Sequence, residues 1–275
     1  MCIESLLGQK DIREIIVVDN GVSEDIKTIA YSFSNRLPVI YLTENKIGPS
    51  FARNLGIKAA KGDIITFLDS DCIVENKWTD NIIKSFIRHN NKVVQGVSKN
   101  ILYTKSFFSI LDKYQNDLYD QLRVMGETGI IDPKNLSIWR KDILINKLLF
   151  DENIPQYGED LDFSIRLDPI NFTVFINDKI AVKHQVSSSF LHYFLRRYMA
   201  GFASGRLERK WNLTEKQKLI PKNWRNQRNV FTDKVSRIIK NKALKKHSII
   251  SQAFNLFIFS GKMVFNLGNF TGRYL

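Results

Sequence analysis

The sequence predicts an α/β fold, a mostly parallel sheet flanked by helices, followed by a basic helical extension. Three observations lead there. Short apolar runs that end in acids or turn residues alternate with helix-like segments over the first 70 residues. The runs are continuous rather than alternating, as in strands covered on both faces. The charge balance also changes abruptly near residue 190. Residues 1–189 carry 23 Lys and Arg against 25 acids, whereas residues 190–275 carry 18 against 3. The change predicts two parts, 1–189 and 190–275, that meet different partners.

The elements follow in order. Residues 2–9 read as the end of a helix. EIIVV, 14–18, closed by Asp19, Asn20 and Gly21, is a buried strand and its turn. Residues 24–35 read as a helix and PVIYL, 38–42, as a second strand. GPSFARNLGIKAAKG, 48–62, has a Gly-Pro-Ser start, helix formers and a stop at Gly62. DIITFL, 63–68, is a third strand and runs straight into Asp69 and Asp71. Ligands of such sheets sit beyond the carboxyl ends of the strands, where Asp19, Asp69 and Asp71 fall. Further on, VVQGVS, 93–98, is a strand, and 105–123 have helical spacing. Residues 126–144 form a loop leading to a strand or helix start. YGEDLDFSIRL, 157–167, predicts a helix whose first turn carries Glu159, Asp160 and Asp162. Residues 173–184 supply one or two closing strands.

With 275 residues and 44% apolar composition the chain buries a full core, which excludes a disordered protein. Cys2 and Cys72 make neither a disulfide framework nor a metal knuckle, so they read as reduced thiols of a cytosolic protein. The first residues lack the basic flank and long apolar stretch of a signal peptide. No window offers about 18 uninterrupted apolar residues, so no spanning helix is expected.

An Asp-x-Asp triplet alone is a weak signal. Buried charges are costly unless paired or metal-bound, and two carboxylates at a strand end can hold a hard divalent ion, Mg²⁺ or Mn²⁺, that bridges phosphate oxygens. The plainer alternative is a helix cap and a solvated turn. Glu159 and Asp160 read equally as acids favoured by a helix dipole or as carboxylates opening on a cleft. Arg53 alone reads as a core-edge arginine, and His184 alone as a structural histidine.

Together the order of parts resembles the family 2 glycosyltransferases of GT-A fold. The resemblance rests on SLLGQ, EIIVVDNGVSED, NKIGPSFARNLGIKAAKGDIITFLDSDC, NLSIWRKDIL, FDENIPQYGEDLDFSIRL and VKH, and covers about residues 2–190. It implies that Asp19 contacts the nucleotide base, Arg53 lines the nucleotide pocket, and Asp69 and Asp71 contact ribose and metal. It further implies that Asp160, with Glu159 beside it, is the catalytic base and that His184 completes the metal or diphosphate site. The implied reaction is inverting transfer from a nucleotide-diphosphate donor, UDP by resemblance, to a hydroxyl of a glycan or lipid-linked acceptor in cell-surface polysaccharide synthesis. Relatives usually begin with a strand and a Pro-Thr-Tyr-Asn-like loop before the Ser-Leu-Leu-x-Gln helix. This chain starts inside that helix, so an interrupted sheet is expected.

Residues 190–211 set Leu191, Phe194, Leu195, Tyr198, Met199 and Phe202 on one helical stripe among arginines. KVSRIIKNKALKKH and an apolar run follow. Basic amphipathic segments predict a peripheral protein on an anionic membrane, here the inner face of the cell membrane. The alternative is that the stripes pack on the catalytic domain. Nothing resembles a groove-reading motif, so nucleic acid is not an expected partner. Two other functions compete. One is a non-catalytic, truncated transferase acting as a membrane scaffold. The other is a haloacid-dehalogenase-like phosphatase, whose Asp-x-Asp-x-Thr/Val loop LDSDCIV resembles, with Ile73 at the fifth position.

Overall fold

The chain runs α1 (Cys2–Ser5), β1 (Ile15–Asp19), α2 (Glu24–Ser32), β2 (Val39–Thr43), α3 (Pro49–Ala59), β3 (Ile64–Leu68), β4 (Cys72–Val74) and α4 (Trp78–His89). It continues with β5 (Val93–Leu102), α5 (Phe107–Val124), β6 (Asn135–Trp139), α6 (Arg140–Ile145), α7 (Glu159–Leu167), β7 (Val174–Val186) and α8 (Phe190–Lys210). A last helix, α9, covers residues 263–272. The structure is a computed structural model that describes residues 1–89, 92–124, 130–154, 156–167, 169–211 and 263–272. The basic stretch 234–247 and the apolar run 248–262 lie outside the described residues.

The strands form two sheets. β1 and β2 pair in parallel, Ile15 opposite Val39 through Asp19 opposite Thr43. The other five follow the order β3-β6-β5-β7-β4, with antiparallel ladders β3–β6, β5–β6 and β4–β7. Among the described residues no ladder joins β1 to β3. The parallel pairing predicted for the first units is found at β1–β2. The larger sheet is knit by antiparallel pairs, and its connections explain why. A parallel neighbour needs a crossover of a dozen or more residues, but only residues 69–71 separate β3 from β4. β4 therefore leaves to the far edge, and β6 runs back alongside β3.

Helices cover both faces, and β3 shows how. Ile65 and Phe67 point to one side, into a cluster with Ile57 of α3, Leu136 and Ile138 of β6, and Phe163 and Leu167 of α7. Ile64 and Leu68 point to the other, against Trp78, Ile82 and Phe86 of α4. That two-residue alternation fixes the register, because a one-residue slip would exchange the two cores. Each fully buried Phe or Ile here contributes about 1.5–3 kcal/mol.

The chain divides into two compact units, residues 1–99 with 130–185, and 100–129 with 186–275. In the second, α5 packs on α8. Asp112 is fully buried between Arg196 at 2.9 Å and Arg197 at 3.5 Å, and Gln115 Nε2 donates to Tyr193 Oη at 2.9 Å. α9 lies backbone to backbone on α8. A Cβ on Gly201 would overlap the Phe265 carbonyl, and one on Gly268 or Gly272 would overlap the carbonyl of Tyr198 or Phe202. Glycine is required at these positions by close approach. Among the described residues no helix is long and apolar enough to cross a membrane.

Candidate active site

Asp69 and Asp71 occupy the short turn between β3 and β4, which the Cys72 amide closes by donating to the Asp69 carbonyl at 3.0 Å. β7 secures the other side, its Gln185 amide donating to the Asp71 carbonyl at 3.0 Å. The β4–β7 register sets Cys72 opposite His184, and this brings His184 Nε2 to 3.4 Å from Asp71 Oδ2. Burial pushes the Asp71 carboxyl up, but the hydrogen bond and charge of His184, together with the Cys72 thiol and a backbone hydrogen bond, hold Asp71 below its ordinary range. Asp69 moves the opposite way, raised first by burial and then by Asp132 and Asp71, with Arg53 opposing.

α3 supplies Arg53. Gly48 at φ +140° precedes Pro49 in the first turn, a start that fixes the helix direction. Arg53 Nη1 donates to Glu159 Oε1 at 2.8 Å, Nη2 lies 3.5 Å from Asp69 Oδ1, and the guanidinium sits 5.3 Å from the Phe150 ring centre. One arginine therefore ties the end of β3 to the start of α7. Its pKa, pulled down by burial, is carried above the usual value by Asp69 and Glu159.

The start of α7 follows two successive left-handed residues, Tyr157 at φ 59° and Gly158 at φ 88°. Tyr157 is a strained position, and the bend it makes aims Glu159 and Asp160 at the rim. The neighbouring acids differ in partners. Glu159 is engaged by Arg53, and Asp162, fully buried, takes Arg166 Nε at 2.9 Å. Asp160 accepts the Leu161 amide at 2.7 Å. Burial, then the charges of Glu159 and Asp132, raise its pKa to about 7. Such a carboxyl exchanges protons near neutral pH.

Asp19, 3% exposed, is a loop organiser. Its carboxylate accepts the amides of Gly21, Val22 and Ser23 at 3.0, 3.0 and 2.6 Å and the Tyr41 hydroxyl at 2.7 Å. The Ser23 amide is the largest of the interactions that lower its pKa, against burial.

The structure thus brings Arg53, Asp69, Glu159 and Asp160 into one electrostatic cluster, and pairs Asp71 with His184 beside it. Two residues that the sequence did not single out, Asp132 and Lys134, join the same rim from the loop entering β6. Among the described residues no three His, Cys, Asp or Glu side chains gather as a metal ligand set.

The sequence model for glycosyl transferase family 2 matches residues 1–143, just over half of the chain. The chain belongs to glycosyl transferase family 2. It is 30% identical to the glycosyltransferase GlyA of Streptococcus pneumoniae over 172 residues, covering 58% of this chain and 24% of that protein. It is 27% identical to the uncharacterized glycosyltransferase YfnE of Bacillus subtilis over 226 residues, 62% of this chain and 57% of that one. The chain therefore spans about a quarter and just over half of the lengths of these relatives. Among solved structures it is similar to S. aureus TarS 1–349 in complex with UDP, with 14% identity, TM-score 0.54, and coverage of 99% of this chain and 85% of that one. It is also similar to the mannosyltransferase PcManGT from Pyrobaculum calidifontis in complex with GDP-Man and Mn²⁺, with 13% identity, TM-score 0.61, and 99% and 82% coverage. These likenesses carry the GT-A fold. Family 2 membership also removes the phosphatase alternative, since the Asp69-x-Asp71 acids follow the third strand of a glycosyltransferase fold.

Proposed function

We propose that the protein is an inverting glycosyltransferase that moves a sugar from a nucleotide-diphosphate donor, UDP in our reading, to a hydroxyl of a glycan or lipid-linked acceptor in cell-surface polysaccharide synthesis. The observation that carries this reading is Arg53. It bridges the Asp-x-Asp turn and the first turn of α7, so acids from distant segments meet at one guanidinium.

The two acids at the head of α7 then separate in role. Glu159 is held by Arg53 at 2.8 Å and positions the guanidinium. Asp160, with its raised pKa, is suited to take a proton near neutral pH. The acceptor oxygen attacks the anomeric carbon from the face opposite the diphosphate. Its proton passes to Asp160, the bond from carbon to the phosphate oxygen breaks, and the electron pair leaves with the nucleotide. One displacement inverts the centre through an oxocarbenium-like state. Asp19 serves the base pocket by shaping the turn 19–23, since its own acceptor sites are filled. Asp69 and Arg53 face the ribose and diphosphate.

A divalent ion fits this rim. Asp71 and His184 form an oxygen and nitrogen pair, and Mg²⁺ or Mn²⁺ typically takes one or two protein ligands and completes its shell with diphosphate oxygens and water. When bound, the ion would neutralise charge on the departing diphosphate. The PcManGT complex with Mn²⁺ supports that choice. The test is transfer or slow hydrolysis across a panel of nucleotide sugars with Mn²⁺. Asp160→Asn is expected to lower kcat by about 10²–10⁴-fold while nucleotide affinity stays unchanged. Normal transfer by that variant would remove Asp160 as base.

We further propose a peripheral location on the inner, anionic face of the cell membrane. α9 buries its glycine face on α8 and turns Met263, Leu267 and Phe270 outward at 59%, 58% and 60% exposure. On α8, Leu191 and Leu195 are exposed, as are Arg206, Arg209 and Lys210. Exposed apolar side chains and exposed cations on the same pair of helices suit a headgroup boundary. Co-sedimentation with phosphatidylglycerol vesicles, absent with phosphatidylcholine and lost in Leu267→Glu/Phe270→Glu, is the expected result. Equal binding by the double variant would assign those faces to protein packing.

A further inference from the structure

Asp132 and Lys134 stand at the same rim and have no part in the reaction above. Their position follows from strand register. β6 runs antiparallel to β3 with Asn135 opposite Leu68, so the residues entering β6 lie beside those leaving β3. Asp132 and Lys134 thereby flank the Asp69–Asp71 turn. Their side chains are 17% and 13% exposed. Lys134 Nζ lies 2.6 Å from Asp132 Oδ2, and the Lys134 amide donates to Oδ1 at 3.2 Å.

The loop that carries them is held from behind. Buried Gln95 accepts the Asp132 amide at 2.7 Å and donates to the carbonyls of Asp132 and Asn135. Buried Asn135 donates to the carbonyls of Val97 and Ile180 and accepts the Trp78 indole N–H at 3.0 Å. Gly96 leaves no space for a Cβ against Asn135 and Ile180. So firm a scaffold behind a loop with two charged residues is what a recognition element needs.

Backbone ties locate the pair between the two ends of the site. The β6 register sets it beside Asp69, and the Ile131 amide next to it donates to Ser164 Oγ at 3.0 Å, which donates in turn to the Asp160 carbonyl at 2.6 Å. In a single displacement the transferred sugar lies between the departing diphosphate, at Asp69 and Asp71, and the attacking hydroxyl, at Asp160. We propose that Asp132 and Lys134 are the specificity-determining pair that reads the transferred sugar, the carboxylate accepting from its hydroxyls and the ammonium donating to a ring-substituent oxygen. The inference rests on the transferase reading and deepens it.

The rival role is a local staple that only shapes the loop, and Asp132→Asn separates the two. Its amide oxygen still accepts the Lys134 N–H, so the staple survives while the charge goes. Initial rates would be measured for the wild type, Asp132→Asn and Lys134→Gln with UDP-GlcNAc, UDP-glucose, UDP-galactose and GDP-mannose, together with inhibition by free UDP and GDP. Expected is a loss in kcat/KM of about 10–100-fold for the preferred donor and a changed ranking of donors, with inhibition by the free nucleotide unmoved. Equal losses for every donor, matched by weaker nucleotide inhibition, would overturn the proposal in favour of the staple, as would unchanged kinetics. A wild type that neither binds UDP or GDP nor turns over any donor sinks the transferase reading, and this inference with it.

Discussion

In the first unit, Arg53 and Glu159 meet across 106 positions of sequence, and Asp69 and Asp132 reach the same rim from two antiparallel strands. In the second, α8 and α9 meet through backbone at Gly201, Gly268 and Gly272, and α9 turns its large apolar side chains outward. The difference shows what each arrangement serves. A site for charged chemistry needs side chains fixed by other side chains, as Arg53 fixes Asp69 and Glu159. Close backbone packing needs no side chain at the contact, so the outer face stays available for a surface.

The two kinds of glycine offer the sharpest way to break that contrast. Gly96 lies under the recognition loop, where an added methyl would collide with Asn135 and the Ile180 carbonyl. Neither neighbour is the free end of a flexible chain. Gly96→Ala is expected to cost about 2–3 kcal/mol, lowering Tm by about 5–10 °C, and to weaken donor turnover as the loop shifts. Gly268→Ala places the same methyl on the Tyr198 carbonyl. There α9 can lift away, so the expected cost is about 1–2 kcal/mol, with faster proteolysis near residues 263–272 and unchanged nucleotide affinity. Equal loss of nucleotide affinity in both variants would mean that the two packings are not independent.

The same contrast explains what the sequence made legible. β1, β3 and the start of α7 are announced by local pattern: an apolar run stopped by acids, or an aromatic-glycine bend before a helical stripe. His184 needed only the resemblance, and the β4–β7 register then set it beside Asp71. β4 and α4 were not announced. A three-residue strand is too short for periodicity, and α4 follows it after only three intervening residues. Asp132 and Lys134 were hidden for a different reason. The resemblance marks NLSIWRKDIL directly after them but not the pair itself, and their place depends on which residue of β6 faces Leu68, a fact of pairing rather than of composition. The segment 100–129 likewise joins the second unit through contacts of α5 with α8 that no run of charges reveals.

The smallest expected effect concerns Asp160, and it runs against function. In the unfolded chain this carboxyl loses its proton near its ordinary value of 3.8, whereas the folded site holds it until about pH 7. Between those values the folded state binds more protons than the unfolded one, so stability falls as pH rises from about 4 to 7 and then levels off. The shift corresponds to at most about 4 kcal/mol, of which Asp160→Asn, whose amide is itself desolvated, returns only a part. Its Tm should match the wild type below pH 4 and exceed it by about 2–4 °C at pH 8, roughly 1 kcal/mol. The wild type, in turn, should lose kcat/KM as pH drops below about 7, because the base becomes protonated. Thermal melts across pH 3–9 and a pH–rate profile check the same group by independent routes. If the Tm gap does not widen between pH 4 and 7, Asp160 is ionised throughout, and the acidic limb of the rate profile should then fall below pH 5. A gain in stability paired with a loss of transfer is the mark of a carboxylate kept in an unfavourable place for its chemistry.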